Sequence, residues 1–278
     1  MSRRAPRRGR QWARDLAVLL ALGLYAVPYF WQVLTSIKPE AELLVLPPLL
    51  PSHMTWEHYQ AVLRQSLIPR ALGNSLGVAC LTTVLALSLG VLAGYALARL
   101  PVPGKGLILL GIVAGSAFPQ IATVSPLYLL MRGLGLRDTW TALVVANASF
   151  ALPLVIWLLA GFIREIPEDL EQAAALDGAS RAQVFRYVLL PLVAPGVASS
   201  ALLTFLFSWN EFLFAYTFTA TEASRTVPVA LALFPGIFEV PWGDIAAASI
   251  LASLPPILLV AGLQRYLIRG LLAGALRE

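Results

Sequence analysis

Six long apolar blocks restrict the fold of this chain, because each block can cross the hydrocarbon core of a bilayer, which is about 30 Å thick. With 58% hydrophobic and only 13% charged residues, the chain lacks the polar surface of a water-soluble domain. The sequence therefore predicts an all-α, polytopic membrane protein with six transmembrane helices. These lie at approximately Leu16–Leu34, Asn74–Ala98, Leu107–Met131, Thr139–Ile163, Leu189–Thr217 and Ala246–Ile268.

Lys and Arg residues are concentrated on one side of the predicted bundle. If the N-terminus lies inside, the inner segments hold most of them, including the Arg-rich stretch 3–14 and the loop after the fourth apolar block. The positive-inside rule then predicts that both termini are cytoplasmic. Membrane topology thus accounts for the net charge of +5, and no nucleic-acid partner is expected.

The apolar blocks also divide the chain into segments. A basic cytoplasmic tail (1–15), a first transmembrane helix (16–36) and an outer loop (37–71) precede a five-helix module (72–269), and a second cytoplasmic tail (270–278) follows it. Within the outer loop, Trp56–Arg64 is predicted to form a short surface helix. Small residues four apart predict close helix contacts inside the module, and the pairs are Gly73/Gly77, Gly90/Gly94 and Gly111/Gly115.

One polar segment, Glu171–Pro191, begins in a predicted cytoplasmic loop (164–188) and runs into the start of the fifth apolar block. Acidic residues at its start and three consecutive alanines favour a short helix. Gly178 is a typical helix stop, and Ser180 followed by Gln183 is the signature of a capping box that starts the next helix. The sequence therefore predicts a helix–turn–helix whose bare surface can sit in a cleft of another protein.

This polar segment resembles the EAA loop of binding-protein-dependent ABC importers, whose pattern is E-A-A, three residues, Gly, nine residues and I-x-L-P. Aligned on Gly178, the pattern's Glu falls on Gln172, and Glu171 stands one residue early, about a third of a turn away around a helix. The resemblance implies that a separate ATPase is contacted through Glu171, Gln172, Ala173, Ala174, Asp177, Gly178, Val188, Leu190 and Pro191.

Further motifs resemble the carbohydrate-uptake branch of that family, and in particular the smaller maltose/trehalose permease subunit. They are T-S-I-K-P at 35–39, S-W-N-E-F-L-F-A at 208–215, P-W-G-D at 241–244, A-S-L-P-P at 252–256 and Q-R-Y-L-I-R-G-L-L-A-G-A-L near the C-terminus. The resemblance implies a type I ABC importer permease fold in a prokaryotic plasma (inner) membrane. It also implies a homologous second permease subunit, two ATPase subunits, an extracytoplasmic solute-binding protein and a sugar substrate as partners.

No cofactor is expected on this chain, which is interpreted as a transport subunit and not an enzyme. Gly104-Lys105 does not form a P-loop, because Arg99 occupies the position of the first glycine and Gly106 replaces the Ser or Thr. ATP and Mg are therefore expected on the partner ATPase. His53 and His58 share the outer loop without acidic or Cys partners at ligand spacing, so they are expected to be solvated, and no metal site is expected.

The predicted translocation path rests on polar residues inside the apolar blocks: Trp209, Asn210, Glu211, Gln120 and Asn147. Glu211 is the acid that we place within a span, where a lone charge costs at least about 2.5 kcal/mol. It either lines the solute path or makes a structural contact with a neighbouring helix or backbone. The resemblance further implies that the loop at Phe234, Pro235 and Gly236 reaches the solute-binding protein; the alternative is a plain surface loop.

Other functions remain open at this point. An ion- or proton-coupled carrier would use Glu211 as its coupling carboxylate and would import solute without a second chain. A non-transporting membrane scaffold would tolerate substitution of the polar residues. Within the ABC importer interpretation, the solute could be a sugar, a polyol or a glycerol phosphate.

Overall fold

The computed structural model describes residues 8–43, 49–234 and 240–275, and every regular element within these ranges is a helix, which confirms the all-α prediction. A six-residue π-helical segment, Val184–Leu189, lies between α9 and α10. The α-helices are α1 (Arg8–Ser36), α2 (Glu40–Leu43), α3 (Glu57–Gln65), α4 (Ile68–Arg99), α5 (Lys105–Ser116), α6 (Gln120–Gly133), α7 (Trp140–Glu165), α8 (Asp169–Leu176), α9 (Arg181–Gln183), α10 (Leu190–Asn210), α11 (Leu213–Phe218), α12 (Val227–Ala232) and α13 (Trp242–Ala275).

Five of the described helices are long and apolar enough to cross a membrane. The predicted third helix, Leu107–Met131, is wrong as a continuous element: α5 and α6 meet at 90° and form a sixth span only when taken together. Pro119 lies at the break. Proline has no backbone N–H to donate and disfavours the helical conformation in the residue before it, which explains why the helix stops here.

The predicted fifth helix, Leu189–Thr217, is wrong at both ends. The observed helix already begins at Arg181, passes through the π-helical segment and ends at Asn210. A separate short helix, α11, follows after two non-helical residues. The polar segment is therefore continuous with a membrane span, a feature that the apolar pattern alone did not indicate.

By its internal contacts the chain forms two compact units: Met1–Ser66 with Phe234–Ala252, and Leu67–Leu233 with Ser253–Glu278. The first unit contains α1 to α3 and the start of α13. The predicted surface helix at Trp56–Arg64 is confirmed as α3. The helical backbone also extends into both predicted tails, because α1 begins at Arg8 and α13 continues to Ala275.

His58, which was expected to be solvated, is buried in the first unit. Its Nδ1 lies 2.7 Å from Oδ1 of Asp244, and its Nε2 lies 2.9 Å from the carbonyl oxygen of Lys38. Because a carbonyl only accepts, Nε2 carries a hydrogen and donates it to Lys38. The T-S-I-K-P and P-W-G-D motifs are thus joined through one imidazole, whose carboxylate partner is 186 residues away.

The second unit is built around α4, α7 and α10, with α4 and α7 packed along one another. Gly90 faces Val155, and a Cβ built on Gly94 would lie 3.1 Å from the backbone nitrogen of Ala160. Of the predicted close contacts, the pair Gly90/Gly94 is therefore confirmed. In the pair Gly73/Gly77 only Gly77 makes a close contact, to the ring of Trp140, and open space surrounds Gly73, Gly111 and Gly115.

Substitution of Gly90 or Gly94 by Leu should destabilise the second unit, since the added atoms would enter the contact between α4 and α7. Overpacking of a filled interior costs about 1–3 kcal/mol. Thermal unfolding of the detergent-solubilised chain, followed by tryptophan fluorescence, measures the effect. Gly73→Leu on the same helix is the matched control and should stay within about 0.5 kcal/mol of wild type; equal losses at Gly73 and Gly94 would contradict the close contact.

Candidate functional site

The polar segment folds as the predicted helix–turn–helix. Helix α8 ends at Leu176, and Gly178 follows with φ of +88°, a left-handed conformation that disfavours residues with a Cβ. The amide of Ala179 donates to the carbonyl of Ala174 over 3.0 Å, which closes the turn. Gly178 is therefore confirmed as the helix stop, and its role is conformational, because a Cβ there would meet no atom within 4 Å.

The second arm begins at the predicted capping box. The amide of Ser180 donates to Oε1 of Gln183 over 2.7 Å, and the amide of Gln183 donates to Oγ of Ser180 over 3.4 Å. These two bonds satisfy amides that a helix start leaves free. From here the helix runs on to Asn210, so the turn is directly connected to a candidate membrane span.

Several apolar side chains of this segment are exposed. Leu176, the last residue of α8, is 89% exposed, and Leu170 and Tyr187 are also exposed. Ala173 and Gln172 complete the exposed surface. Large uncovered apolar side chains beside small ones are typical of a protein–protein contact.

The other residues predicted for this contact occupy different environments. Asp177 and Gly178 are exposed, whereas Ala174 and Val188 are half-buried. Leu190 and Pro191 are exposed at the start of α10, within the span. The structure therefore places the accessible part of the motif on α8 and its turn, and the I-x-L-P part on the span that follows.

Glu171 points away from this exposed surface, because its carboxylate is held by Arg99. Nε of Arg99 donates to Oε1 of Glu171 over 2.5 Å, and Nη2 donates to the carbonyl of Ile166 over 2.6 Å. Nη1 also lies 3.8 Å from Oε1 of Glu168. The side chains of Arg99 and Glu171 are only 7% and 14% exposed. Sequence reasoning missed Arg99, since 72 residues separate it from Glu171 and no motif spacing connects them.

A cleft of about 310 Å³ lies beside this ion pair. Arg99 and Glu171 line it, and the exposed Gln172 and Arg181 stand on its wall. One turn before Arg99, the ring of Tyr95 packs edge-on against Phe185 of the π-helical segment, with the ring centres 5.3 Å apart. The last turn of α4 therefore contacts both arms of the helix–turn–helix.

The residues predicted for the translocation path are only partly accessible. Glu211 is buried, and its Oε1 and Oε2 accept the amides of Phe214 at 2.7 Å and Ala215 at 3.0 Å, so that it caps α11. Trp209 is buried against Phe205 in a stacked arrangement. Asn210 is exposed, with its Nδ2 donating to the carbonyl of Leu206.

The remaining two path residues lie on other helices. Asn147 on α7 is buried, and its Nδ2 donates over 2.9 Å to Oγ of Ser208 on α10, which in turn lies 3.4 Å from Oγ1 of Thr82 on α4. Gln120 is half-buried at the start of α6, directly after the break. The structure thus joins Asn147 to the interior of three packed helices and leaves Asn210 and Gln120 accessible.

Phe234 is half-buried in the described chain, while Pro235 and Gly236 lie outside the described residues. The connection that precedes them, Thr219–Thr226, is fixed to the start of α4. Nδ2 of Asn74 donates to the carbonyls of Glu222 and Arg225 over 3.1 and 2.8 Å, and Oγ of Ser75 accepts the amide of Val227 over 2.8 Å.

Asp138 holds the same connection from the side of α7. Its carboxylate accepts the amides of Ala220 and Thr221 at 2.8 and 3.1 Å and also the hydroxyls of Thr221 and Ser224. Partial burial acts to raise the pKa of Asp138, but these hydrogen bonds outweigh it and hold the pKa well below its ordinary value. Asp138 adopts a left-handed backbone conformation with φ of 61°.

Residues 86–272 match the family model described as "Binding-protein-dependent transport system inner membrane component". The trehalose transport system permease protein SugB of Mycobacterium tuberculosis (strain CDC 1551 / Oshkosh) is 43% identical over 98% of each chain. The trehalose/maltose transport system permease protein MalG of Thermococcus litoralis is 38% identical over 94% of each chain. The diacetylchitobiose uptake system permease protein DasC of Streptomyces coelicolor is 32% identical over 97% of this chain and 98% of its own.

The fold is shared with a solved bacterial ABC transporter involved in the import of the acidic polysaccharide alginate. One of its chains aligns with a TM-score of 0.81 at 23% identity, over 95% of this chain and 99% of that one. A second structure, of an alginate ABC transporter in complex with an alginate pentasaccharide-bound periplasmic protein, aligns with a TM-score of 0.67 at 14% identity, over 93% of this chain and 96% of that one.

Gly178→Ala should loosen the helix–turn–helix, because a left-handed backbone costs a residue with a Cβ about 1–2 kcal/mol. Amide hydrogen exchange at Ala174–Gln183 should accelerate by roughly 5- to 30-fold. Gly161→Ala is the matched control. Gly161 lies in the regular helix α7 with open space around it, so the higher helix propensity of Ala predicts equal or slower amide exchange around residue 161. Unchanged exchange in Gly178→Ala would contradict a conformational role.

Acid should release the Thr219–Thr226 connection through Asp138. A carboxyl group whose folded pKa is lowered stabilises the fold fully above its unfolded pKa of about 3.9, and this contribution falls as the pH drops below that value. Amide exchange of Ala220 and Thr221, corrected for its intrinsic pH dependence, should therefore rise below about pH 4.

Asp138→Asn should show faster exchange of the same amides already at pH 7 and a weaker dependence on acid. Asp169→Asn, in the first turn of α8, is the control and should leave these amides unchanged. Parallel pH profiles for wild type and Asp138→Asn would reject the assignment.

Proposed function

Because this chain belongs to the family of binding-protein-dependent transport system inner membrane components, we propose that it is the permease subunit through which a sugar enters the cell. The family consists of transport components, so the chain is not itself an enzyme. It is a multi-pass protein of the inner membrane. The proposal adds the solute class, the ATPase contact and the direction of coupling.

The observation that carries the proposal is the exposed helix–turn–helix that continues into a membrane span. Leu176 and Ala173 offer a contact surface, and the continuous helix Arg181–Asn210 links that surface to the bundle. A separate ATPase that grips α8 and closes on ATP would thereby displace the bundle and favour one of two packings, and hydrolysis would return it. ATP and Mg then belong to the ATPase subunits, and this chain supplies conformational change.

The sugar class is supported by the relatives. Those named above carry trehalose, maltose and diacetylchitobiose in their names, and a further relative of Agrobacterium fabrum, 39% identical, is a sulfoquinovosyl glycerol permease. The last name indicates that the solutes named for such relatives include a glycoside of glycerol, which is a polyol. We therefore place the solute of this chain among sugars and glycosides, ahead of free polyols and glycerol phosphates.

The path residues take two roles in this proposal. Asn210 and Gln120 are accessible and can replace the water that a sugar hydroxyl loses, whose unpaired burial costs of order 2–7 kcal/mol. Trp209, Glu211 and Asn147 are buried, and Asn147 joins α7 to α10, the helix that carries Asn210. We place both termini and α8 in the cytoplasm, as the positive-inside rule predicts.

The proposed partners are a second homologous permease, two ATPase subunits and an extracytoplasmic solute-binding protein. The alignment with an alginate transporter bound to a periplasmic protein supports the kind of assembly. The loop at Phe234, Pro235 and Gly236 is proposed to contact the solute-binding protein.

Reconstitution tests the proposal. The chain is purified from its native membrane with the proteins that accompany it, and the assembly is placed in vesicles with radiolabelled trehalose, maltose and glycerol. We expect ATP-dependent uptake of a disaccharide, and no uptake by vesicles that contain this chain alone. Import by the chain alone, driven by a proton or ion gradient, would overturn the proposal.

Leu176→Asp should weaken the ATPase contact within the same assembly. Loss of a fully buried leucine side chain costs about 1.5–3 kcal/mol, so ATPase affinity should fall by at least roughly tenfold. Leu49→Asp is the control, because Leu49 is a similarly exposed leucine in the loop predicted to lie outside. Equal ATPase recovery with Leu176→Asp and wild type would exclude α8 as the docking element.

A further inference from the structure

We infer that Arg99 is the positioning residue that locks α8 to α4, and that α4 carries the displacement of α8 to the opposite end of the second unit. This inference rests on the proposed function, since it assumes that an ATPase moves α8. It assigns a role to a residue outside the EAA motif and to a helix that does not contain the motif.

The geometry of the guanidinium fixes both the distance and the orientation of α8. Nε binds Glu171 within the first turn of α8, and Nη2 binds the carbonyl of Ile166, the residue that follows α7. Arg99 thus holds the linker before α8 and α8 itself through one planar group. Two donors in fixed relative positions resist rotation as well as separation, which a single point charge does not.

Burial makes this contact costly to break. With 7% and 14% of their side chains exposed, Arg99 and Glu171 have lost most of the water that would compensate a separated charge. Separating such a pair leaves a buried charge without its partner, which is strongly unfavourable. The intact contact is therefore expected to persist while α8 is pulled, so α4 moves with it.

A second contact ties α4 to the other arm. Tyr95 packs against Phe185 in the π-helical segment, one helical turn before Arg99. The negative end of the α4 dipole also favours a cation at this position. The final turn of α4 is consequently joined to both sides of the turn at Gly178, and the helix–turn–helix and α4 form one body at this end.

The opposite end of α4 is attached as well. Helix α4 has 32 residues and is about 48 Å long, and its only proline is in its first turn. Near that first turn, Asn74 and Ser75 bind the connection Thr219–Thr226 and the amide of Val227. A helix without an interior proline that is held at both ends transmits a displacement from α8 to this connection.

The test uses the complete assembly with its ATPase, second permease and solute-binding protein in lipid nanodiscs for ATP hydrolysis and in vesicles for transport. Arg99→Gln removes the positive charge and the paired guanidinium donors, and Glu171→Gln removes the negative charge that Arg99 binds. Arg99→Glu reverses one charge, and the double variant Arg99→Glu/Glu171→Arg restores the pair with opposite polarity. Arg164→Gln is the matched control, since Arg164 lies exposed in the last turn of α7 and loses the same charge.

We expect solute transported per ATP hydrolysed to fall on the order of tenfold in Arg99→Gln and Glu171→Gln, within the range of typical coupling energies. Arg164→Gln should match wild type. The double variant should recover part of the loss seen with Arg99→Glu, because it restores the ion pair but not the bond to the carbonyl of Ile166. ATP should change amide exchange at Thr219–Val227 in wild type but not in Arg99→Gln, a difference that a purely structural anchor would not produce.

Normal transport per ATP in Arg99→Gln would overturn the inference, as would a double variant no better than Arg99→Glu. If Arg99→Gln fails to assemble, the test rests on the double variant. Higher transport per ATP than in Arg99→Glu then supports the inference, and equal transport per ATP overturns it. The proposed function fails separately, when the wild-type assembly shows no ATP-dependent uptake.

Discussion

Backbone hydrogen bonding inside the bilayer is the constraint on which this structure depends. Lipid offers no partners to a free N–H or carbonyl, so each interruption of a span must be satisfied by protein groups or face a cavity. The interruption after Asn210 is satisfied by Glu211, whose two carboxylate oxygens accept the amides of Phe214 and Ala215. An acidic residue at this position thus serves as the cap that allows the chain to turn between α10 and α11.

The interruption between α5 and α6 has a different solution. The described part of α5 contains no buried residue, and the 90° bend exposes the side chains around Pro119. Because freed carbonyls at such a bend need partners, this surface has to meet another protein chain or a water-filled cavity. The proposed second permease and the solute path between the two subunits would supply both.

Local chemistry explains which features could be predicted from the sequence. The stop at Gly178 and the capping box at Ser180 and Gln183 depend on residues within one or two turns, and both were found where expected. Block length predicted six spans, and the structure gives that number only when α5 and α6 are counted together as one. The pairs Arg99–Glu171 and His58–Asp244 were missed, because 72 and 186 residues separate the partners and only the fold brings them together. Glu211 could not be assigned either, since its bonds depend on where α10 ends.

The contact between Arg99 and Glu171 explains why it matters that the acidic residue stands at 171 and not at 172. A shift of one position turns a helical side chain by about 100°, which here separates an exposed surface from a half-buried one. Gln172 therefore stands where a partner can reach it, and Glu171 stands where Arg99 can. The carboxylate of Glu171 contributes to the connection between α8 and the bundle. The amide of Gln172 leaves the proposed docking surface without a charge at that position.

The two attachments of the helix–turn–helix differ in stiffness. The span that begins at Arg181 contains the π-helical segment and, beyond it, Pro191 and Pro195, each of which removes a helical hydrogen bond. Helix α4 has no such interruption after its first turn. Under the same load the proline-containing span bends more easily, so α4 should carry the larger share of the displacement while the other span accommodates it. In the proposed cycle, this difference in stiffness would let one movement of α8 change the angle between α4 and α10 and thereby repack the bundle.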